Sequence, residues 1–224
     1  MTRIIVSYDG TDSDRDALAL GGLLAAAGAA LELAYVRHAV EDEQGRERLA
    51  EHEAEALLAD GALAAGDPEL PQHVVLSGST AEGLRELALA EEADLVVFGS
   101  EYRTAPGHVD PQATAKRLLD GGPVALALAP AGFAEHEGLE AATVVPISED
   151  GDPCARETAE SLARALGGTV AQQPSRDADL LVVSSKAGAV TGRVTLSAAT
   201  DYLIELATCP VIVLPRGVAL RFGR

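Results

Sequence analysis

The strongest constraint on this chain is that it states one motif twice. Ala93-Asp94-Leu95-Val96-Val97-Phe98-Gly99-Ser100 returns as Ala178-Asp179-Leu180-Leu181-Val182-Val183-Ser184-Ser185. Each copy runs through a small-residue loop and a short helical stretch into Pro-Val and a closing apolar strand, residues 123–130 and 210–215. A strand, a loop and a helix that recur as a group mark one supersecondary unit used twice. With 224 residues, 47% of them hydrophobic, the chain can bury one large core or two small ones. The repeat favours two.

Around the repeat, strand and helix patterns alternate. Residues 3–8 are a β-branched run ending at Asp9-Gly10-Thr11-Asp12, and from Ser13 the pattern is helical until Gly28 stops it. Residues 31–36 read as the second strand, 41–65 as a long acidic helix with a solvated face, and 72–76 as the third strand. Ser79-Thr80-Ala81-Glu82 has capping-box spacing and opens a helix through Ala90. Residues 94–100 are apolar on both alternating faces, as expected of a strand covered by helices on either side.

The second unit is abridged: a strand at 143–147, a helix at 153–166 stopped by Gly167-Gly168, a short strand at 169–171, and a strand at 179–185. It lacks the long acidic helix, one strand and one further helix. Alternation of this kind predicts an α/β fold, two Rossmann-like units with parallel sheets and right-handed crossovers. The predicted division is 1–130, a linker at 131–140 containing Gly132 and Gly138, the abridged unit at 141–217, and a tail at 218–224.

Charge narrows the function. The formal net charge is -18, and 23 of the 35 acidic residues lie in residues 1–130. Such a surface repels phosphate backbones, and no basic stripe with aromatics opposes that, so no nucleic acid is expected as a partner. The longest uncharged run, residues 17–31, is too short and too rich in Ala and Gly for a membrane span. With no basic segment leading into an apolar signal stretch, a cytoplasmic location is expected, with no membrane partner. Cys154 and Cys209 lack metal-ligand spacing and scaffold density, and read as buried or idle thiols. His38, His52, His73, His108 and His136 show no ligand spacing and read as solvated, so no metal is expected.

In an open α/β sheet, ligands collect beyond the carboxyl ends of the strands, beside helix N-termini. Three loops qualify in the first unit: Asp9 after the first strand, 36–38 after the second, and 99–113 after the fourth. Glycine in such a loop lets backbone N–H groups approach a phosphate. There is no Walker element, no dinucleotide Gly-x-Gly-x-x-Gly after the first strand, and no metal cluster. In Tyr8-Asp9-Gly10-Thr11-Asp12-Ser13, Asp9 stands where a pyrophosphate loop of the Ser-Gly-Gly-x-Asp-Ser type has glycine, and a carboxylate there opposes pyrophosphate. No catalytic residue is assigned.

With these loops the chain resembles the universal stress protein family, specifically its tandem members with two domains in one chain. The resemblance implies the adenine nucleotide alpha hydrolase-like fold. It also implies a nucleotide signature of Gly, two residues, Gly, nine residues, Gly and Ser or Thr after the fourth strand. In this chain those positions are Gly99, Tyr102, Gln112 and Ala113, with Ser100 and Thr114 beside them. In the second unit they are Ser184, Ala187, Ser197 and Ala198. Asp9 matches an acid near the adenine and ribose, Val36 a residue lining the adenine, and Asp150 the same first turn in the second unit.

Each has a plainer role open to it. Asp9 serves a turn, Gly99 allows close packing, Tyr102 fills the space of a phosphate, and Thr114 caps a helix. With one signature glycine of three kept, the expectation is a non-catalytic regulatory or binding module with nucleotide affinity weakened or lost and no cofactor. The alternatives are a first-unit pocket that still takes ATP or AMP, and a slow ATPase. The resemblance also implies that the closing strands pair the two units as a pseudo-two-fold within one chain, leaving a homodimer and unknown protein partners open.

Overall fold

The computed structural model describes residues 1–38, 44–135, 142–171 and 178–223. Its elements follow the sequence pattern closely: β1 (Arg3–Ser7), α1 (Asp12–Ala26), β2 (Ala30–His38), α2 (Gln44–Ala64), β3 (Gln72–Ser77), α3 (Thr80–Ala90), β4 (Leu95–Phe98), α4 (Ala113–Leu119) and β5 (Ala125–Leu128). Then come β6 (Thr143–Ile147), α5 (Pro153–Ala165), β7 (Thr169–Val170), β8 (Leu180–Ser184), α6 (Ala198–Glu205) and β9 (Val211–Leu214). The start of the predicted acidic helix, 41–43, lies outside the described residues, as do His136 and part of the predicted linker.

The nine strands of the described residues form one sheet in the order β3-β2-β1-β4-β5-β9-β8-β6-β7. Among the described residues every strand pairing is parallel except one, where β5 runs antiparallel to β9 in the register Leu126↔Val213, Ala127↔Ile212, Leu128↔Val211. The two closing strands therefore meet, as expected. Both are buried along their whole length. Their edges are satisfied by each other, which removes the exposed pairing edge that an apolar strand would otherwise present.

Helices cover both faces, which is why β4, β5, β8 and β9 carry no polar alternation. One layer joins Leu20 and Leu24 of α1, Leu58 and Ala62 of α2, and Ala155 and Leu162 of α5 through Ile4, Val97, Ala127, Val182 and Ile212. The other joins Leu84 of α3, Leu118 of α4 and Ile204 of α6 through Phe98, Leu126, Val183 and Val213. Each layer runs unbroken across the β5–β9 seam.

The loops after β4 and β8 also cross that seam. Val109 N donates to Ala207 O at 3.1 Å, while Gly121 N donates to Val194 O and Val194 N to Gly122 O, both at 2.8 Å. Val109 and Val194 are both buried. The loop holding the signature positions of each half is thus pinned to the turn that follows the last helix of the other half.

Three details differ from the sequence reading. The linker begins as a single 3₁₀ turn, Phe133–Glu135, because the buried Asp16 carboxylate accepts from Gly132 N at 2.9 Å and Ala134 N at 2.8 Å. Residues 218–223, read as a tail, lie across both halves: Leu220 and Phe222 are buried, Leu220 N donates to Thr158 Oγ1, Phe222 N to Ser161 Oγ, and Gly223 N to Ala27 O. Laid against Thr158 and Ser161 of α5 and Ala27 at the end of α1, the apolar Leu220 and Phe222 leave water. Finally, His73 is not a solvated histidine, since its Nε2 lies 2.9 Å from Glu32 Oε2.

Candidate functional site

At the carboxyl ends of β1, β2 and β4, the chain opens three adjoining clefts. A small one, about 220 Å³, is lined by Ser7, Tyr8, Asp9, Tyr35, Val36, Thr80, Gln112 and Thr114. Asp9 and Gln112 also line a second, of about 440 Å³, with Gly10, Thr11, Asp12, Ser13, Glu101 and Tyr102. A third, of about 570 Å³, continues along Asp12, Ser13, Arg15, Asp16, Ser100 to Thr104 and Glu135. The two larger ones fall within the range of volume that holds a small-molecule ligand, and the smallest lies below it.

The first turn is closed from within. Asp14, in the first turn of α1, accepts Asp9 N at 2.7 Å and Thr11 N at 3.0 Å on its Oδ2, and Asp9 Oδ1 accepts Thr11 N at 3.2 Å. Those backbone N–H groups are the donors an anion would meet at a turn leading into a helix N-terminus. A carboxylate of the chain already holds them. Burial of Asp14, then the Asp9 carboxylate beside it, pushes the Asp14 pKa up to about 7. Gly10, at φ +80°, brings the turn so close to α2 that a β-carbon there would lie 2.5 Å from Leu57 Cδ1.

The loop after β4 is equally engaged. A β-carbon on Gly99 would collide with the Ser13 backbone carbonyl, so this glycine serves the packing of β4 against the start of α1. Ser100 is buried: its hydroxyl donates to Ala129 O at 2.7 Å and accepts from Asp110 N at 3.3 Å, so it faces structure and not a ligand. Gln112 is the N-cap of α4, and its Nε2 reaches across the mouth to Ser13 Oγ at 3.2 Å and Ser100 O at 3.4 Å. Ala113 and Thr114 are the first two residues of α4, so Thr114 is not its cap; it lines the small cleft opposite Val36.

Tyr102 does not fill a phosphate space. Its side chain is 75% exposed at the rim, because Tyr102 N donates to Glu101 Oε1 and the turn continues through Arg103 at φ +72°. The Arg103 guanidinium sits over the Tyr102 ring, 5.2 Å from its centre.

The sequence model described as the universal stress protein family matches residues 1–129, well over half of the chain. The chain belongs to this family.

Solved structures agree on the fold. A universal stress protein from Archaeoglobus fulgidus DSM 4304 superposes with a TM-score of 0.73 at 13% identity, covering 96% of this chain and 98% of its own. A functionally unknown protein from Pseudomonas aeruginosa PAO1 does so with a TM-score of 0.64 at 11% identity, covering 97% and 93%. A universal stress protein solved in complex with cAMP aligns over 45% of this chain and 77% of its own, at 27% identity and a TM-score of 0.37. No curated protein matches the chain.

The matching positions of the second half are also engaged. Ser197 is the N-cap of α6; its hydroxyl donates to Glu149 Oε1, which also accepts from Thr200 Oγ1 at 2.7 Å. These hydrogen bonds hold the Glu149 carboxyl below its usual range. Asp150 pairs with Arg216 at 2.8 Å, and Ser184 is buried with its hydroxyl on Ile147 O. Ala187 and Ala198 are exposed and offer no side-chain polar group.

Sequence reasoning missed Asp14 and Glu149. The available signal was an acid in the first turn of α1 and an acid just before Asp150. Burial, with neighbouring Asp152, pushes the Cys154 thiol up to about 11, and burial raises Cys209 to about 12, so neither is a ready thiolate. Among the described residues, no helix is long and apolar enough to cross a membrane.

Proposed function

We propose that this universal stress protein is a non-catalytic binding or regulatory module whose nucleotide positions have been taken over by its own side chains. One observation carries this reading. An internal carboxylate stands at the ligand end of each half, Asp14 on the backbone N–H groups of Asp9 and Thr11, and Glu149 on the first turn of α6. Gln112 adds a bar across the mouth of the first cleft. A triphosphate would have to displace these groups and sit beside Asp9, Asp12 and Glu101, with Arg15 and Arg103 as the nearby cations in the largest cleft. Coulomb repulsion and the loss of formed hydrogen bonds both oppose that.

Residues 1–130 act in this reading as a complete family domain, and 141–217 as an abridged second copy whose pairing partner is the first. The product is a fixed intrachain pair that presents surfaces to proteins in the cytoplasm.

A second reading has one observation in its favour: the 220 Å³ cleft, with Val36 and Tyr35 on one wall, opens through Asp9 and Gln112 into the larger one. That is room for adenine and ribose with phosphates beyond. The two readings separate by heat-denaturing the purified protein, chromatographing the supernatant for nucleotide, and titrating ATP and AMP by calorimetry. No released nucleotide and no binding heat are expected. Bound AMP or ATP, or heat that vanishes in Asp9→Ala, would establish the second reading, and phosphate release above background would establish an ATPase.

A further inference from the structure

At the opposite end of the sheet from these clefts, four side chains from four elements meet. Glu32 of β2 is buried, with a side chain only 7% exposed. Its Oε1 accepts from Arg3 Nη2 at 2.8 Å and Arg3 Nε at 3.3 Å, and its Oε2 lies 2.9 Å from His73 Nε2 of β3. Arg3 Nη2 also reaches Glu91 Oε2, at the C-cap of α3, at 3.2 Å. Ligand atoms of Glu32, His73 and Glu91 all lie within 4.8 Å of one another. The backbone of Arg3 is fixed by β1 and by Asp94, whose Oδ2 accepts Arg3 N at 2.9 Å, but its side chain is 36% exposed.

We propose that Glu32, His73 and Glu91 form a site for a divalent cation of the zinc class, with the Arg3 guanidinium as the resident counter-charge that the ion replaces. Two carboxylates and one imidazole are a donor set suited to zinc and its first-row neighbours. The charges balance: with Arg3 seated, two carboxylates face one positive charge, and a divalent ion in its place neutralises both. The 2.9 Å between His73 Nε2 and Glu32 Oε2 is a hydrogen-bond separation, and the two atoms need part by only a few tenths of an ångström to reach the roughly 3.3 Å that separates two ligands on a tetrahedral zinc ion. Arg3 has a path out, since its half-exposed side chain can turn into water while β1 stays paired.

The ion would tie the C-terminal end of α3 to β2 and β3, at the sheet's first edge. Because Arg3 competes, occupancy responds to the metal level instead of being permanent.

The test is zinc titration of the full chain by calorimetry, with melting curves in parallel, for wild type, Arg3→Met, His73→Ala and Glu91→Gln. Wild type is expected to bind one zinc, and His73→Ala and Glu91→Gln to lose it. Arg3→Met is expected to bind roughly tenfold more tightly than wild type, the change that follows from removing about 1.4 kcal/mol of competition. Without zinc, Arg3→Met should melt lower than wild type and recover on adding the metal. His73→Ala and Glu91→Gln lie at the partly exposed rim, so folding survives in them even if a change at Glu32 does not allow it. Zinc binding that persists in both variants would place the metal elsewhere, for example on Cys154 or Cys209. Absence of binding in wild type and in Arg3→Met would leave a structural ion-pair network only. Either result overturns the proposal.

Discussion

Gln112 and Ser13 are 99 residues apart, yet the Gln112 amide donates to the Ser13 hydroxyl at 3.2 Å. The bond ties the N-cap of α4 to the first turn of α1, across the gap where a phosphate-binding loop would face its ligand. It is the local form of a wider pattern in which side chains of this chain occupy the polar positions at both ligand ends of the sheet.

Gly99 has a structural duty that can be measured. Because any β-carbon there meets the Ser13 carbonyl well under 3.0 Å away, Gly99→Ala must push β4 or α1 aside. Overpacking of this kind costs about 1–3 kcal/mol, and in a chain of this size each kcal/mol is worth roughly 2–4 °C of melting temperature. A melting curve unchanged by Gly99→Ala would show that the contact yields freely and that the glycine is kept for another reason.

Asp14 predicts a pH dependence with a definite sign. Its folded-state pKa is raised from 3.8 to about 7, so the native chain holds a proton that the unfolded chain has lost between those values. The contribution of this group to stability therefore falls as pH rises from about 4 to about 7. Burial and the Asp9 carboxylate favour its neutral form, while the backbone N–H groups of Asp9 and Thr11 favour the ionised one and are outweighed. Asp14→Asn keeps an oxygen for the two backbone donors and cannot ionise. Its melting temperature should decline less than that of wild type between pH 5 and pH 8, and parallel declines would rule out Asp14 as the titrating group.

The final residues should matter more than a tail would. Leu220 and Phe222 are buried, and three backbone donors of 220–223 are satisfied by Thr158, Ser161 and Ala27. Removing residues 218–224 should cost about 3 kcal/mol or more, from two apolar side chains at about 1.5–3 kcal/mol each. Urea denaturation with an unchanged midpoint would contradict this.

The same seam makes the second half dependent on the first. As a fragment, 139–224 exposes the β5-facing edge of β9, frees Val194 from Gly121 and Gly122, and uncovers Phe222. No cooperative thermal transition is expected of it. A transition comparable with that of the intact chain would show that the second half folds alone.

Much of this was legible in the residues. Apolar runs at 94–100 and 179–185 could only be doubly covered strands, and Pro153 after Asp152 marked a helix start that the structure caps with the Asp152 carboxylate on Cys154 N. The crossing loops were not legible, because the backbone partners of Val109 and of Val194 lie in the other half, out of reach of any local pattern. Nor were the roles of Asp14, Asp16 and Glu149. An acid at a helix start reads the same whether it faces water, a ligand or the backbone of a distant turn, and only the fold decides. His73 was misread for the same reason, since β2 and β3 must first pair before it meets Glu32.

If internal carboxylates and Gln112 have displaced the nucleotide, nucleotide cannot stabilise the fold, and melting curves measure this. A ligand at about 100 times its dissociation constant adds roughly 2.7 kcal/mol to a folded protein, a clear shift in a chain of this size. Millimolar ATP or AMP, with or without magnesium, is predicted to leave the melting temperature where it was. An upward shift of several degrees with wild type, lost in Asp9→Ala, would contradict the account and restore a working nucleotide pocket to the first half.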